Sequence, residues 1–299
     1  MGTGGRITLA GNPEKFLERA IEKFVCENPG NRRRVDRGKY WDTPLVGFAL
    51  GDDPLFKQYK KIIGKFHYTP HKIFDLTFGK PKQPRKLSVI SWVLPASEDI
   101  RKSNRKEDKY PSLLWAHARD FGEQFNVKLR NHLVSLLEKK GHRALAPMNS
   151  PYWKRMKSSK VGWASNWSER HAAYACGLGA FGLSDGLITA KGKAMRLGSV
   201  ITDTPLRPSE NIYPHHQSNC LYYFNKTCKV CASRCPAGAI TAKGHDKDKC
   251  EEYLYRIVSR DKKEEYGVKI TGCGLCQTKV PCEFEIPKLI QKQYLNKRN

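Results

Sequence analysis

Residues 177–186, "GLGAFGLSDG", contain Gly177-x-Gly179-x-x-Gly182, the spacing that lets a backbone turn approach a pyrophosphate in a dinucleotide-binding fold. That reading would make the chain a doubly wound protein with a parallel sheet. It requires a strand before the glycines, a helix after them and an acidic residue about 20 positions on. Here the preceding "SERHAAYAC" (168–176) reads as a short helix with Ser168 as its N-cap, while the following "LSDGLITAKGK" has no helical period, and Asp203 is only loosely placed for the acid. The context is reversed, so the dinucleotide fold is set aside. A helix C-cap at Gly177 followed by tight turns explains some of these glycines. Four within ten residues also strip side chains from a continuous stretch, which suits close approach of backbone to a large flat ligand.

Working outward, "KLSVISWVLP" (86–95) and "LGSVITD" (197–203) read as strands, the first buried and ended by Pro95. "NPEKFLERAIEKFV" (12–25) has helical spacing, with Phe16, Leu17, Ala20, Ile21 and Phe24 on one side. Between Leu113 and Lys140 the apolar positions Phe121, Phe125, Leu129, Leu133 and Leu137 recur every four residues, and Gly141 supplies the stop. Residues 96–111 read as a charged loop. Trp163, Trp167 and His171 read as packing or pocket wall. From about Pro205 the composition turns Pro-rich and polar, so a boundary is expected there, with one domain over 1–205 (including a basic, helical N-terminal extension over 1–80) and a second over 206–299.

That second part holds eight of the ten cysteines: Cys220, Cys228, Cys231, Cys235, Cys250, Cys273, Cys276 and Cys282. Eight thiolates are what two 4Fe-4S clusters require. "CKVCASRCP" (228–236) is C-x2-C-x3-C-P, the last three-quarters of the bacterial two-cluster run, and Asn225 stands where the first cysteine belongs. Cys220 replaces that ligand through a loop five residues longer; the alternative leaves the corner to Asn225. The second group, "CGLCQTKVPC" (273–282), is stretched too, with Cys250 well upstream. Crossover logic then puts Cys220, Cys228, Cys231 and Cys282 on one cluster and Cys235, Cys250, Cys273 and Cys276 on the other. The rival is one zinc held by the two C-x2-C steps, which leaves four cysteines without a role. Cys26 and Cys176 are expected to be small buried residues.

Lys and Arg outnumber Asp and Glu by 54 to 29, giving +25, of which residues 1–219 carry +18 and residues 220–299 carry +7. A diffuse positive field attracts acidic partners such as RNA, an acidic protein or an anionic cofactor. No run of about 18 apolar residues exists to span a bilayer, and the polar stretch after Arg32-Arg33-Arg34 lacks the apolar segment of an export signal. A cytoplasmic, reducing location is expected, where cysteines serve metals rather than disulfides.

With these residues in place, "ERHAAYACGLGAFGLSDGLIT" (169–189) and "GKAMRLGSVITDTPL" (192–206), followed by a double-cluster cysteine region, resemble the epoxyqueuosine reductase and reductive dehalogenase superfamily over roughly residues 85–290. The resemblance implies an α+β chain: a nitroreductase-like α/β domain that holds base-off cobalamin, then a ferredoxin-like domain with two 4Fe-4S clusters. It implies that Gly177, Gly179, Phe181, Gly182, Leu183, Ser184, Asp185, Gly186 and Leu187 line the corrin. "WAHARDFGEQF" (115–125) resembles the segment that carries the proton-donating aspartate of that family, which falls on Asp120.

The implied activity is a cytoplasmic reductase. It would take electrons from a ferredoxin or flavodoxin and pass them through the clusters to cobalt, reducing an epoxide-like or halogenated substrate. Two other functions stand beside it: an electron-transfer protein that reduces the corrinoid of a partner protein, and a tRNA-binding metalloprotein. Two departures from the superfamily stand out. The helical-repeat extension of many epoxyqueuosine reductases has no counterpart after "IPKLIQKQYLNKRN", which weighs against tRNA as substrate, and the missing export signal weighs against membrane-linked respiration.

Overall fold

A computed structural model describes residues 11–83 and 85–296. The strand Ser88–Pro95 (β2) is buried along its whole length, so it needs cover on both faces. It pairs antiparallel with Leu45–Leu50 (β1) on one side and with Met195–Thr202 (β8) on the other. The short Ala144–Leu145 (β3) closes the sheet in the order β1-β2-β8-β3. The sheet is thus antiparallel, and no dinucleotide crossover is built into it.

Side chains alternate across β2. Ile90, Trp92 and Leu94 face a layer made by Pro13–Glu27 (α1) and Leu113–Lys139 (α5), whose Leu17, Ile21, Phe125, Leu129, Leu133 and Leu137 complete that core. Trp92 lies across the strand pair from Gly198, where a Cβ would come within 2.4 Å of the indole, and its Nε1 donates to Asn126 Oδ1 on α5. Val89 and Val93 face the opposite layer, built by Pro54–Ile62 (α2), Pro70–Phe78 (α3) and Glu169–Ala175 (α6). Phe56, Ile73, Phe74 and Trp167 fill it.

Residues 96–111 are not all loop. Glu98–Arg105 (α4) is helical, with Glu98 and Asp99 in its first turn and Lys102 and Arg105 in its last, charges that complement the helix dipole. Its buried side chains are Ile100 and Asn104, too few to show as an apolar stripe. A second correction concerns Cys26, which is exposed on the outer side of α1, whereas Cys176 is buried as expected. Helix α5 stops at Gly141 (φ +80°) and α6 at Gly177 (φ +71°).

The rest of the chain forms small elements. Arg155–Ser158 (β4) and Gly162–Ser165 (β5) pair as one hairpin, and Gly179–Phe181 (β6) and Leu187–Thr189 (β7) as another. After β8 come Leu221–Asn225 (α7), Val230–Ser233 (α8), the paired Ile240–Thr241 (β9) and Gly244–His245 (β10), Lys247–Glu252 (α9), a π-helical turn over Tyr253–Val258, Ser259–Lys262 (α10) and Lys288–Asn296 (α11). Residues of the β6–β7 hairpin, Ala180, Leu183 and Ile188, share a third core with Tyr213, Tyr222, Ile240, Val280, Ile286 and Ile290. The glycine stretch therefore joins the sheet region to the cysteine region. Residues just past Pro205 still pack on the sheet: Leu206 belongs to its first core, and Ser209 exchanges hydrogen bonds with Phe48. Among the described residues no helix is long and apolar enough to cross a membrane.

Candidate metal and cofactor site

The eight C-terminal cysteines gather in two groups of four. Cys220, Cys228, Cys231 and Cys282 line one hollow of about 340 Å³ including its open mouth, together with Gly182, Leu183, Ile188 and Lys193. Cys235, Cys250, Cys273 and Cys276 lie within electrostatic reach of one another. Consecutive cysteines of one run are split between the groups: Cys231 turns to the first and Cys235 to the second. Cys220, not Asn225, faces the hollow. Asn225 is exposed and its Oδ1 accepts from the backbone N and Oγ1 of Thr227. Among the described residues, no three His, Cys, Asp or Glu side chains converge on a point suited to a single metal ion.

Burial pushes the thiols of Cys231 and Cys250 up to about 12 and that of Cys282 up to about 11; Lys193 pulls against this at Cys231 and Cys282, while nearby sulfurs add to it, Cys276 of the second group included at Cys231. Thiols raised in this way, as at Cys231, Cys250 and Cys282, do not ionise together unless a cation replaces their protons. The donor set therefore fits a cluster that supplies that cation, and two sets of four thiolates match two cubanes.

Lys193 stands at this junction. It is 2 % exposed, its Nζ donates to Ser184 Oγ, and its backbone N–H donates to the carbonyls of Cys282 and Glu283. Burial alone would pull its ammonium down. The sulfurs of Cys282, Cys276, Cys231 and Cys220 outweigh that and hold it above the usual lysine range. The cation thus faces sulfurs of both groups. The lining segment is fixed from below by Glu283, 2 % exposed, which is paired with Arg105 at 2.8 Å and Arg101 at 3.5 Å from α4. Asn104 Nδ2 donates to Thr278 Oγ1. None of Lys193, Glu283 or Arg105 stands out in the sequence, where a charged residue reads as solvated.

In the 177–187 stretch, the bare faces of the glycines are met by the protein itself. A Cβ would come within 2.8 Å of the Glu210 carbonyl at Gly177, 2.5 Å of the Ile188 carbonyl at Gly179 and 3.0 Å of Lys193 Cε at Gly186. Gly179, Gly182, Leu183, Ser184 and Leu187 are buried, and Gly177, Phe181, Asp185 and Gly186 half-buried. Asp185 (φ +55°) lies 3.5 Å from Lys247 and 3.7 Å from His245. Although burial opposes it, His245, Arg170 and Lys247 draw that carboxyl down to about 2.

Two charged groups with buried polar atoms lie elsewhere on the sheet region, around Glu123 of α5. Arg196 has a buried Nη2 with no partner, and its Nε lies 3.5 Å from Glu123. Burial, then Arg119, brings its guanidinium down to about 9, with Tyr255 also within electrostatic reach. Glu169, its carboxylate oxygens buried, lies 3.8 Å from Arg130 and beside Ser199; burial pushes its carboxyl up to about 7, against the pull of Arg130.

Asp120 is 4 % exposed on α5. Its Oδ1 accepts from Gln124 and its Oδ2 from the backbone N–H of Lys269, 2.5 Å away. His117, one turn earlier, bonds the Tyr266 carbonyl through Nε2, and its buried Nδ1 has no partner. Asp120 thus sits under the loop that leads into Cys273. Trp167 is core, while Trp163 is half-buried beneath Arg155 at 4.3 Å.

No protein-family model matches the sequence, and no curated protein sequence matches it. Solved structures do. Epoxyqueuosine reductase from Bacillus subtilis, with its catalytic aspartate loop swung out of the active site, matches at a TM-score of 0.51 and 18 % identity over 91 % of this chain and 65 % of that one. The chain has the fold of epoxyqueuosine reductase. A structure of epoxyqueuosine reductase with an epoxyqueuosine-modified tRNA stem loop gives the same values. The reductase from Streptococcus thermophilus gives 0.50 and 15 % identity over 91 % of this chain and 66 % of its own. This chain spans just under two thirds of the length of the epoxyqueuosine reductases from which the first values come. Within that fold, the antiparallel sheet carries α5 and the β6–β7 hairpin up to the cysteines.

Proposed function

We propose that the chain is a cytoplasmic oxidoreductase of the epoxyqueuosine reductase type, with a nitroreductase-like sheet domain that holds base-off cobalamin and a ferredoxin-like domain with two 4Fe-4S clusters. The observation that carries the reading is the sorting of eight cysteines into two groups of four, beside a hairpin that belongs to both regions. When bound, the clusters supply one-electron relay, and a corrinoid supplies a strong reductant for an epoxide-like or halogenated substrate.

The chain's own residues have separate tasks. Cys220, Cys228, Cys231 and Cys282 hold one cluster, and Cys235, Cys250, Cys273 and Cys276 the other. Lys193 offsets the negative charge that gathers between them. Arg196, Arg119 and the half-buried edge at Phe181, Asp185 and Gly186 would bind the corrinoid's polar periphery. Asp120 is the acid. Its two oxygens accept from Gln124 and from Lys269 N–H, so to face a substrate the carboxyl has to be released from Lys269, and the 263–272 loop must give way as substrate enters. Anaerobic titration with cobalamin is expected to give a base-off spectrum and about one cobalt per chain, and no binding defeats this reading. Asp120→Asn is expected to abolish turnover and spare cobalt binding; full turnover returns Asp120 to a structural role.

One observation favours a second reading. Because the glycine faces are filled by the protein's own atoms, the hairpin also suits a protein without a corrin of its own, which reduces the corrinoid of a partner. Saturable reduction of an added corrinoid protein, with no cobalt bound to the chain itself, would establish it.

A further inference from the structure

Between Cys220 and Cys228 the chain inserts seven residues, Leu221 to Thr227, where the two-cluster run has two. The insertion folds as α7, and its first residue, Leu221, lines the first cysteine hollow. Three positions on, Phe224 is 36 % exposed. Lys226, in the left-handed region at φ +62°, carries its ammonium over the rings of Tyr222 at 4.5 Å and Tyr223 at 5.6 Å, and Lys229 lies 5.9 Å from Tyr222. Tyr222 Oη donates to the Ala242 carbonyl, which brings exposed Lys243 alongside. From residue 211 to residue 245 the chain has no Asp or Glu. Asp185, within electrostatic reach of Tyr223, is paired with Lys247 and His245.

We propose that this α7 apron, Phe224 with Lys226, Lys229 and Lys243, is the docking surface for an acidic electron-donor protein of the ferredoxin type. The inference rests on the iron-sulfur reading above and adds the place where electrons enter. The charge is of one sign and the partner's is opposite, which steers encounter. The helix that carries the apron begins at Leu221, which lines one cluster's hollow, so a donor docked there lies on the segment that borders that cluster. Phe224 supplies an apolar anchor at the centre of a charged rim. RNA is the poorer occupant because Tyr222 is buried and Tyr223 half-buried, each with the Lys226 ammonium near its ring, so neither presents an open face on which a base could stack. The step is one electron: the donor's centre is oxidised by one, the first cluster is reduced by one, and no bond or proton moves.

The test uses the anaerobic, iron-loaded protein and a reduced acidic plant-type ferredoxin, with cluster bleaching followed by stopped flow. Donor affinity is measured separately by calorimetry. Lys226→Glu with Lys229→Glu is expected to weaken donor binding and to lower the second-order rate about tenfold or more at low salt. Iron content and the rate with photoreduced 5-deazariboflavin, an uncharged reductant, stay unchanged, and the difference shrinks as salt screens it. If that variant loses iron, Lys226→Gln with Lys229→Gln carries the same comparison. Equal donor rates in variant and wild type, or a wild-type rate independent of ionic strength, overturn the proposal. So does loss of tRNA affinity with an unchanged donor rate. A wild-type chain that binds no iron defeats the function reading instead, and the two failures are told apart by metal analysis alone.

Discussion

The sheet region and the cysteine region are held together by different physics. Around β2, β8 and α5 the interior is Trp92, Ile90, Leu94, Phe125, Leu129 and Leu133, on a 27-residue helix and two eight-residue strands. After residue 220, residues 247–262 are helical throughout (α9, the π-helical turn and α10), the strands are two residues each, and α7 and α8 are only five and four residues long. Helices that short are not stable on propensity. Much of their interior is cysteine. On the proposed function, the first region is expected to fold on its buried apolar surface, whereas the second, with its smaller core, is expected to draw much of its stability from what its thiols bind.

Removing the metal should break this contrast open most widely. Chelation or oxidative loss of iron is expected to leave the sheet region cooperatively folded and to make residues 215–285 accessible to protease; equal protection of both halves would remove the distinction. Next in size is the sheet core, where Trp92→Ala is expected to cost about 3 to 5 kcal/mol in denaturant unfolding and to leave iron stoichiometry intact in whatever protein folds.

A smaller effect falls at the junction. Lys193→Met removes a buried cation that faces both sulfur groups, so reduction potentials of the clusters should move to more negative values in a dye-mediated titration. Lys193→Arg should restore them in part. Unchanged potentials would make Lys193 a packing residue.

The smallest prediction concerns pH. His67 is 1 % exposed with both ring nitrogens unpartnered, and burial draws it from the usual histidine range down to about 4. Its neutral form is the one that folds, so its contribution is complete above about pH 6.5 and is lost as pH falls towards 4, on the order of 3 kcal/mol. His67→Phe should flatten the fall in melting temperature across that window.

What the sequence disclosed follows the same division. Strand β2, helix α5 and the stops at Gly141 and Gly177 are legible because apolar period and left-handed glycine are local signals. Helix α4 is not, although Ser97 followed by Glu98 and Asp99 is a start signal, because only two of its side chains are buried. Cys26 reads as lying on the apolar face of its helix, yet it falls on α1's outer face while Leu17, Ile21 and Val25 take the inner one. In the site, spacing yields the roster of eight cysteines. Lys193 and the Glu283–Arg105 pair depend on which loops meet, and no local pattern encodes that. The glycines of 177–186 show the limit most clearly. Their density signals close approach, but it is Ile188, Glu210 and Lys193 that do the approaching.

The most direct test of the account is iron and acid-labile sulfide per chain in protein purified without oxygen, measured for the wild type and for Cys220→Ala. Two groups of four thiolates predict about eight of each in the wild type and a clear loss in the variant. A single zinc with no sulfide, or a variant that keeps all its iron, would contradict it.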